Sequence, residues 1–214
     1  SEYCRRRLNL GPLTTRHAIH LFAGMALFFL PFFSDWYYPF LIPLGIGVVT
    51  VAAFMFKKRS FITTSMVDEK KYSRAHAFGP VYYIVSIGAL VALAWNFRHI
   101  VIASIMIMAW GDGGAATFAP MLKRRHRYPN SDKTVEGSTI MFILSYFGAL
   151  LAYTVSIQSR ILSVDMLTVA LTCLVGALVG TIVEAVTVGP IKPFDNFTVP
   201  FSSAIAMYAF SLLH

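Results

Sequence analysis

Charged residues are scarce in this chain of 214 residues. Only 13% of the residues are Asp, Glu, Lys or Arg, whereas about a quarter are charged in a typical soluble domain. Acidic residues are the rarer kind, since 10 Asp and Glu stand against 18 Lys and Arg and give a formal net charge of +8. With 57% hydrophobic residues, this composition excludes an ordinary water-soluble domain.

Cysteine is also scarce, with only Cys4 and Cys173 present. Cys4 lies in a basic N-terminal segment and Cys173 lies deep in an apolar run, so we expect no disulfide between them. Two cysteines at this separation form no metal-binding or redox motif. Internal repeats and low-complexity tracts are lacking as well. The sequence therefore predicts one domain over residues 1–214.

Long apolar runs dominate what is present. Most of them approach the roughly 20 residues that a helix needs to cross about 30 Å of hydrocarbon. Unpaired backbone polar groups are costly in lipid, so runs of this length favour helices over strands. We predict an all-α, polytopic integral-membrane protein with about seven transmembrane helices, at 17–33, 37–56, 77–97, 100–119, 138–157, 165–185 and 199–213.

The basic residues are distributed unevenly about these predicted spans. With seven spans, all Lys and Arg residues except Arg98 and Arg160 fall on the side that holds the N-terminus. The positive-inside rule then places the N-terminus in the cytoplasm. Topology explains the net charge without nucleic acid, and the partners that it favours are an anionic lipid surface or a phosphate-rich ligand.

Ionisable residues in membrane segments are functional-site hypotheses, and here they collect toward the cytoplasmic ends of the predicted spans. The four places are Asp112 in "WGDGGAATFA", the segment "SDKTVEGS" at 131–138, Glu184, and "PFDNFTVP" at 193–200 with Asp195 and Asn196. The three carboxylates of Asp112, Glu184 and Asp195 would repel one another if all were ionised in a low-dielectric site. Such a cluster requires cations or raised pKa values.

These residue types suit magnesium-nucleotide chemistry at a membrane surface. Carboxylates with the Asn196 amide offer the oxygen ligands that Mg²⁺ prefers, together with waters and substrate phosphates. Lys133 and the basic loop before it are candidates to bind those phosphates. Glycine lets a ligand or a backbone approach closely. The basic-loop residues are Lys123, Arg124, Arg125 and Arg127, and the glycines are Gly111, Gly113 and Gly114.

A simpler interpretation exists for each residue. Glycines pack membrane helices, and Lys133 and Glu136 can pair on a helix surface because three positions separate them. Glu184 can reach water from a span end, and Asp195 can cap a helix. The basic loop can be a topology determinant only.

The order of the motifs resembles the CTP-dependent lipid-alcohol kinases, a family that includes dolichol kinase, phytol kinase and a diacylglycerol kinase. In that family a Gly-Asp pair, a basic loop, a Lys-Ser/Thr-x-x-Gly-Ser/Thr segment, a helix-terminal Glu and an Asp-Asn-x-x-x-Pro segment follow one another. This chain has Gly111-Asp112, Lys133-Thr134-Val135-Glu136-Gly137-Ser138, Val183-Glu184-Ala185 and Asp195-Asn196-Phe197-Thr198-Val199-Pro200. Arg16 and His20 echo a further N-terminal element, in which His17 replaces the usual Lys. A second departure is Ala119-Pro120-Met121-Leu122, where the family commonly has Gly-Arg-x-Phe-Gly.

The resemblance implies transfer of the γ-phosphoryl group of CTP to an isoprenoid or other lipid alcohol at the cytoplasmic face, giving lipid monophosphate and CDP. It implies a catalytic set of Asp112, Lys133, Glu184 and Asp195, and Mg²⁺ or another divalent cation on Asp112, Glu184, Asp195 and Asn196. The implied nucleotide-binding residues are Gly111, Gly113, Lys123, Arg124, Arg127, Lys133, Thr134, Glu136, Gly137 and Ser138, with Arg16 and His20 as accessories. The implied setting is a prokaryotic plasma membrane or an endoplasmic-reticulum or plastid-type membrane.

Two other functions stay open at this point. The Lys-Thr-x-Glu-Gly element is similar to one in the CTP:phosphatidate cytidylyltransferases, which would join CMP to a lipid phosphate. A small ion-coupled transporter could use the carboxylates as a relay, but they lie near one face and no inverted halves are visible. The lipid tail could lie beside Phe28, Phe29, Phe32, Phe33 and Trp36. The sequence does not indicate which lipid alcohol is the acceptor, or an oligomeric state.

Overall fold

The fold is helical throughout the part of the chain that the structure describes. The computed structural model describes residues 21–22, 24–55, 79–124, 126–129, 131, 133–159, 164–189 and 194–213. Within these ranges every regular element is a helix, and a single isolated antiparallel bridge joins Arg127 to Thr134. The predicted accessory residues Arg16 and His20 lie outside the described residues.

Seven α-helices follow one another along the described chain. They are α1 (Tyr37–Met55), α2 (Gly79–Leu93), α3 (Arg98–Met106), α4 (Gly113–Phe118), α5 (Val135–Gln158), α6 (Met166–Val186) and α7 (Asp195–Ser211). A π-helical segment, Ile107–Asp112, joins α3 to α4. Three 3-10 segments are Leu27–Phe32, Trp95–Phe97 and Ala119–Met121. The run Trp95–Met121 is thus one continuous rod of mixed helix types, called here the composite helix.

The composite helix is the centre of the bundle. The residues from Ile100 to Ala109 are at most 2% exposed. The composite helix contacts α5, α6, α7 and α2, and α6 also packs along both α5 and α7. Packing between helices in lipid depends on close approach at small residues, because lipid tails are as apolar as the side chains. Gly176 and Gly180 of α6 provide that approach here.

Three of the described helices are long and apolar enough to cross a membrane. They are Trp95–Met121, Val135–Gln158 and Met166–Val186, with mean hydropathies of 1.5, 1.9 and 2.3 in their most apolar windows. Outward-facing apolar residues such as Leu178 and Ile182 on α6 are about half exposed, as lipid contact requires. The apolar stretches Tyr37–Val49 and Val81–Leu93 are shorter. The helical membrane character is therefore confirmed, while the count of seven spans and the cytoplasmic N-terminus stay predictions.

The last predicted span differs from the observed helix at its start. Helix α7 begins at Asp195 rather than at residue 199. Asp195 and Asn196 are therefore held in a first helical turn. This start fixes their positions relative to the neighbouring helix ends, which matters for the site below.

Close packing at Gly180 generates a stability prediction. A Cβ at Gly180 would lie 2.6 Å from Ser203 Oγ and 2.8 Å from Ile107 Cγ2, whereas a Cβ at Gly45 would meet nothing within 4 Å. We expect Gly180→Ala to lower the stability of the detergent-solubilised protein by about 1–3 kcal/mol through overpacking, despite the better helix propensity of alanine. Gly45→Ala is the matched control and should keep or raise the melting temperature. Equal melting temperatures for the two variants would contradict this packing.

Candidate active site

A polar cavity of about 250 Å³ lies at one end of the bundle. The C-terminal half of the composite helix, the N-termini of α5 and α7 and the C-terminus of α6 meet there. Its lining comprises Asp112, Ala115, Ala116, Ala119, Pro120, Lys133, Thr134, Gly137, Ser138, Glu184 and Asp195. The fold thus brings together residues from all four polar segments that the sequence singled out.

The π-helical segment carries Asp112 to this cavity. A π-helix has wider turns than an α-helix and occurs mostly as short insertions, frequently at functional sites. Asp112 is the last residue of Ile107–Asp112 and is half-buried in the cavity wall. Ser145 of α5 donates a hydrogen bond of 3.1 Å to the carbonyl of Ile107, at the start of the segment. No hydrogen bond or ion pair joins the Asp112 carboxylate to another described residue.

The glycines around Asp112 serve helix packing more than ligand approach. A Cβ on Gly111 would collide with Ser145 Oγ, and a Cβ on Gly114 would collide with Leu144; both of these side chains belong to α5. Gly113 is buried, but a Cβ there would meet no atom within 4 Å. Neither Gly111 nor Gly113 lines the cavity. The packing interpretation therefore accounts for Gly111 and Gly114, which let α5 lie directly against the composite helix.

The segment "KTVEGS" leads into α5, and four of its six residues line the cavity, namely Lys133, Thr134, Gly137 and Ser138. Thr134 is the N-cap, and its Oγ1 accepts a hydrogen bond of 3.1 Å from the Gly137 amide, which leaves its hydroxyl proton free to donate. Ser138 Oγ is buried and has no hydrogen-bond partner within the described part of the chain. The N-terminus of a helix carries a partial positive charge and unpaired N–H groups. This end of α5 is therefore suited to an anion.

Lys133 forms a buried ion pair with Glu184 across the cavity. Their side chains are only 12% and 9% exposed. Lys133 Nζ also donates a 3.0 Å hydrogen bond to the Glu184 backbone carbonyl, in the last turn of α6. The same carbonyl also accepts a hydrogen bond of 3.2 Å from the Thr187 backbone N–H. A cation at this helix C-terminus complements the helix dipole. The interpretation that Glu184 reaches water is wrong, because its residue is 7% exposed and ion-paired.

Glu136 holds the loop before α5 instead of pairing with Lys133. Its Oε2 accepts a hydrogen bond of 2.8 Å from the backbone N–H of His126, and its Oε1 lies 2.5 Å from His126 Nδ1. The backbone N–H of Tyr128 donates to the Lys133 carbonyl, and that of Val135 donates to the His126 carbonyl. The interpretation that Lys133 and Glu136 pair on a helix surface is therefore wrong. Glu136 does not line the cavity but fixes the chain that presents Lys133.

Asp195 and Asn196 occupy the first turn of α7. Asp195 lines the cavity, and its Oδ1 accepts a hydrogen bond of 2.7 Å from the Asn196 backbone N–H. Asn196 is 3% exposed and does not line the cavity, so the structure separates it from the other predicted metal ligands. The described residues contain no group of three His, Cys, Asp or Glu side chains arranged to hold a metal ion. The other two carboxylates in the cavity lining are those of Asp112 and Asp195.

The basic loop lies outside the cavity lining. Lys123, Arg124 and Arg127 are exposed, and Arg125 lies outside the described residues. The sequence analysis did not identify the part of the cavity lining that consists of small apolar residues, namely Ala115, Ala116, Ala119 and Pro120. The spacing of Ala115 and Ala119, one helical turn apart, was the available signal.

Curated proteins named phytol kinase are similar to this chain. It is 29% identical over 218 residues to "Phytol kinase" of Synechocystis sp., which covers 97% of the chain and 84% of the relative. It is 32% identical over 135 residues to "Probable phytol kinase 1, chloroplastic" of Oryza sativa subsp. japonica, 61% of the chain and 41% of the relative. A chloroplastic relative from Triticum aestivum is 29% identical over 143 residues, 61% of the chain and 43% of the relative.

The similarity to the Synechocystis protein extends over nearly the whole chain, whereas the chain spans less than half the length of either plant relative. No protein-family model matches the sequence. No solved structure matches it either. The chain is homologous to proteins named phytol kinase, and the predicted resemblance to the lipid-alcohol kinases is confirmed.

The Lys133–Glu184 pair generates a prediction about folding. Removing one partner of a buried ion pair leaves an uncompensated charge and typically costs about 3–5 kcal/mol, whereas removing both costs less. We expect Lys133→Met to lower the melting temperature in detergent more than the double variant Lys133→Met/Glu184→Gln does.

The control is His126→Ala with Glu136→Gln, a pair whose side chains are 77% and 23% exposed, for which the single and double variants should differ less than those of the buried pair. Additive losses at Lys133 and Glu184 would show that the two side chains are not coupled and would contradict the geometry described.

Proposed function

We propose that this protein is an integral-membrane kinase that transfers the γ-phosphoryl group of CTP to the hydroxyl of an isoprenoid alcohol of the phytol type. The observation that carries the proposal is the cavity in which Asp112, Asp195 and the Lys133–Glu184 pair meet the N-terminus of α5. The similarity to proteins named phytol kinase supports the acceptor class. The choice of CTP follows the family resemblance of the motifs.

The N-terminus of α5 binds the phosphates in this proposal. Thr134 and Ser138 have hydroxyl protons available, and the positive end of the helix dipole lies beside them. The cavity of about 250 Å³ is smaller than the roughly 300–1,000 Å³ of clefts that enclose drug-sized ligands. It therefore encloses phosphates and the reacting hydroxyl, while the nucleoside lies at its mouth. The exposed Lys123, Arg124 and Arg127 provide positive charge outside the lining.

Asp112 and Asp195 fit a magnesium ion that keeps several waters. Mg²⁺ is usually bound by one or two carboxylates together with substrate phosphates rather than by a complete protein cage. The absence of a three-residue metal group among the described residues agrees with that mode of binding. When bound, the ion would neutralise charge on the transferring phosphoryl group. Lys133 neutralises Glu184, and Asp112 has no partner among the described residues, so the Asp112 carboxylate is available to a cation.

The acceptor hydroxyl loses its proton to a carboxylate in the proposed reaction. Its oxygen forms a bond to the γ-phosphorus while the bond from that phosphorus to the β–γ bridging oxygen breaks, and CDP leaves. Asp112 is the preferred proton acceptor because its carboxylate has no partner among the described residues. Phosphoryl transfer demands positioning and charge neutralisation more than covalent chemistry, and rigid helix ends provide both.

Labelled CTP separates this function from its closest alternative. With purified protein, Mg²⁺ and phytol, we expect label from γ-³²P-CTP to reach the lipid and label from α-³²P-CTP to remain in CDP. A cytidylyltransferase acting on phytyl phosphate would give the opposite pattern. A panel with ATP, geranylgeraniol, dolichol and diacylglycerol then defines donor and acceptor. Ion flux in liposomes without CTP turnover would overturn the proposal in favour of transport.

A substitution at Asp112 tests its role as proton acceptor or metal ligand. We expect Asp112→Asn to lower kcat by about 100-fold to 10,000-fold, the range for loss of a general base, with an unchanged melting temperature.

Asp165→Asn is the control, because Asp165 caps the opposite end of α6 and Asn also caps helices. Thr168, through its side chain and its backbone N–H, lowers the pKa of Asp165, so this control also removes a carboxylate charge at neutral pH. Near-normal turnover by folded Asp112→Asn would contradict the assignment.

A further inference from the structure

A second cavity, of about 740 Å³, lies between α1 and α2 and shares no lining residue with the polar cavity. The two helices run antiparallel, since Gly47 approaches Ile84 and Gly88 approaches Phe40. The cavity extends from Phe40 to Ala52 along α1, about 18 Å at the rise of an α-helix. All its lining residues are apolar. It is called the tail groove below.

Two glycines keep the tail groove open. A Cβ on Gly47 would lie 3.3 Å from Ile84 Cγ2, and a Cβ on Gly88 would lie 3.2 Å from Phe40 Cε2. Gly45, on an outward face of α1, has nothing within 4 Å of its Cβ position. Larger side chains at Gly47 and Gly88 would therefore occupy the groove, whereas one at Gly45 would point to the surroundings.

One end of the tail groove lies on a helix that contacts the start of α7. Val81 lines the groove, and the next residue, Tyr82, stacks on Phe194 with a centroid separation of 5.1 Å and an interplanar angle of 28°. Phe194 directly precedes Asp195, which lines the polar cavity. A stacked aromatic pair thus connects the helix that lines the apolar groove to the helix that carries Asp195.

The other end of the groove lies at the aromatic residues that begin α1. Phe40 lines it and makes an edge contact with Trp36 at a centroid separation of 5.6 Å. An occupant that entered from the polar cavity would therefore extend along α1 and α2 toward Trp36. Of the five aromatic residues that the sequence analysis placed beside the lipid tail, only Trp36 lies near this groove.

We propose that the tail groove binds the hydrocarbon tail of the acceptor alcohol and that its hydroxyl passes the Tyr82–Phe194 pair to reach Asp112 and Asp195. This inference rests on the proposed kinase function. The occupant has to be apolar along its length and polar only at one end, because the groove is apolar and the polar cavity is small. An isoprenoid alcohol meets that requirement, whereas a phospholipid carries a large charged headgroup.

Filling the groove should impair long acceptors selectively. We expect Gly47→Leu and Gly88→Leu to raise the KM for phytol by about tenfold, since a leucine displaces a few methylene groups from an apolar site. The KM for the short alcohol prenol should change by less than about twofold in Gly88→Leu, because Gly88 lies six residues beyond Tyr82, about 9 Å along α2, which is farther than a five-carbon tail extends from the Tyr82–Phe194 pair. Gly45→Leu is the matched control and should leave both values unchanged. Equal effects on phytol and prenol, or none, would overturn the inference.

Photolabelling gives a readout that needs no turnover. A phytol analogue with a diazirine in its tail should label residues on the groove faces of α1 and α2, in competition with phytol, and the label should be lost in Gly47→Leu but kept in Gly45→Leu. Labelling confined to other faces would refute the groove. Groove labelling without phosphoryl transfer from any nucleotide would overturn the proposed function alone, while kinase activity with unaffected KM values would overturn only the groove.

Discussion

The ion pair between Lys133 and Glu184 is the interaction on which the polar end of the bundle depends. Lys133 directly precedes the N-cap of α5, and Glu184 lies in the last turn of α6, so the pair joins two helix ends of opposite dipole. Its second bond is to the Glu184 carbonyl, at the negative end of the α6 dipole. Burial of a carboxylate beside Asp112 and Asp195 is tolerable because a lysine compensates it.

The composite helix is irregular in the segment that carries Asp112 to this site. An uninterrupted α-helix would keep a regular face along its whole length, whereas the π-helical turn at Ile107–Asp112 changes the register before α4. The wider turn is supported from α5, where Ser145 bonds the Ile107 carbonyl and the missing side chain of Gly111 leaves room for Ser145. The same glycines that weaken a helix in isolation therefore allow Asp112 to be held by packing.

Hydropathy predicts α5 and α6 well, because long apolar runs in lipid have few alternatives to a helix. The clustering of Asp112, Lys133, Glu184 and Asp195 was also predictable from their positions at span ends. The partners of Lys133 and Glu136 were not, since both depend on how residues 126–135 fold back, which spacing does not encode. Gly111 was expected near a ligand and packs on Ser145, because a glycine signals close approach without indicating what approaches.

Two cavities of opposite character, on helices that meet at the Tyr82–Phe194 pair, suggest how a membrane enzyme can combine incompatible reactants. A hydrocarbon tail gains free energy only where water is absent, and a triphosphate only where charges and N–H groups face it. A single mixed pocket would leave part of each reactant poorly solvated. Separate compartments avoid this, provided that only the small hydroxyl crosses between them. In the proposed function, the small polar cavity would limit which acceptor end groups react, and the length of the groove would limit which tails are held.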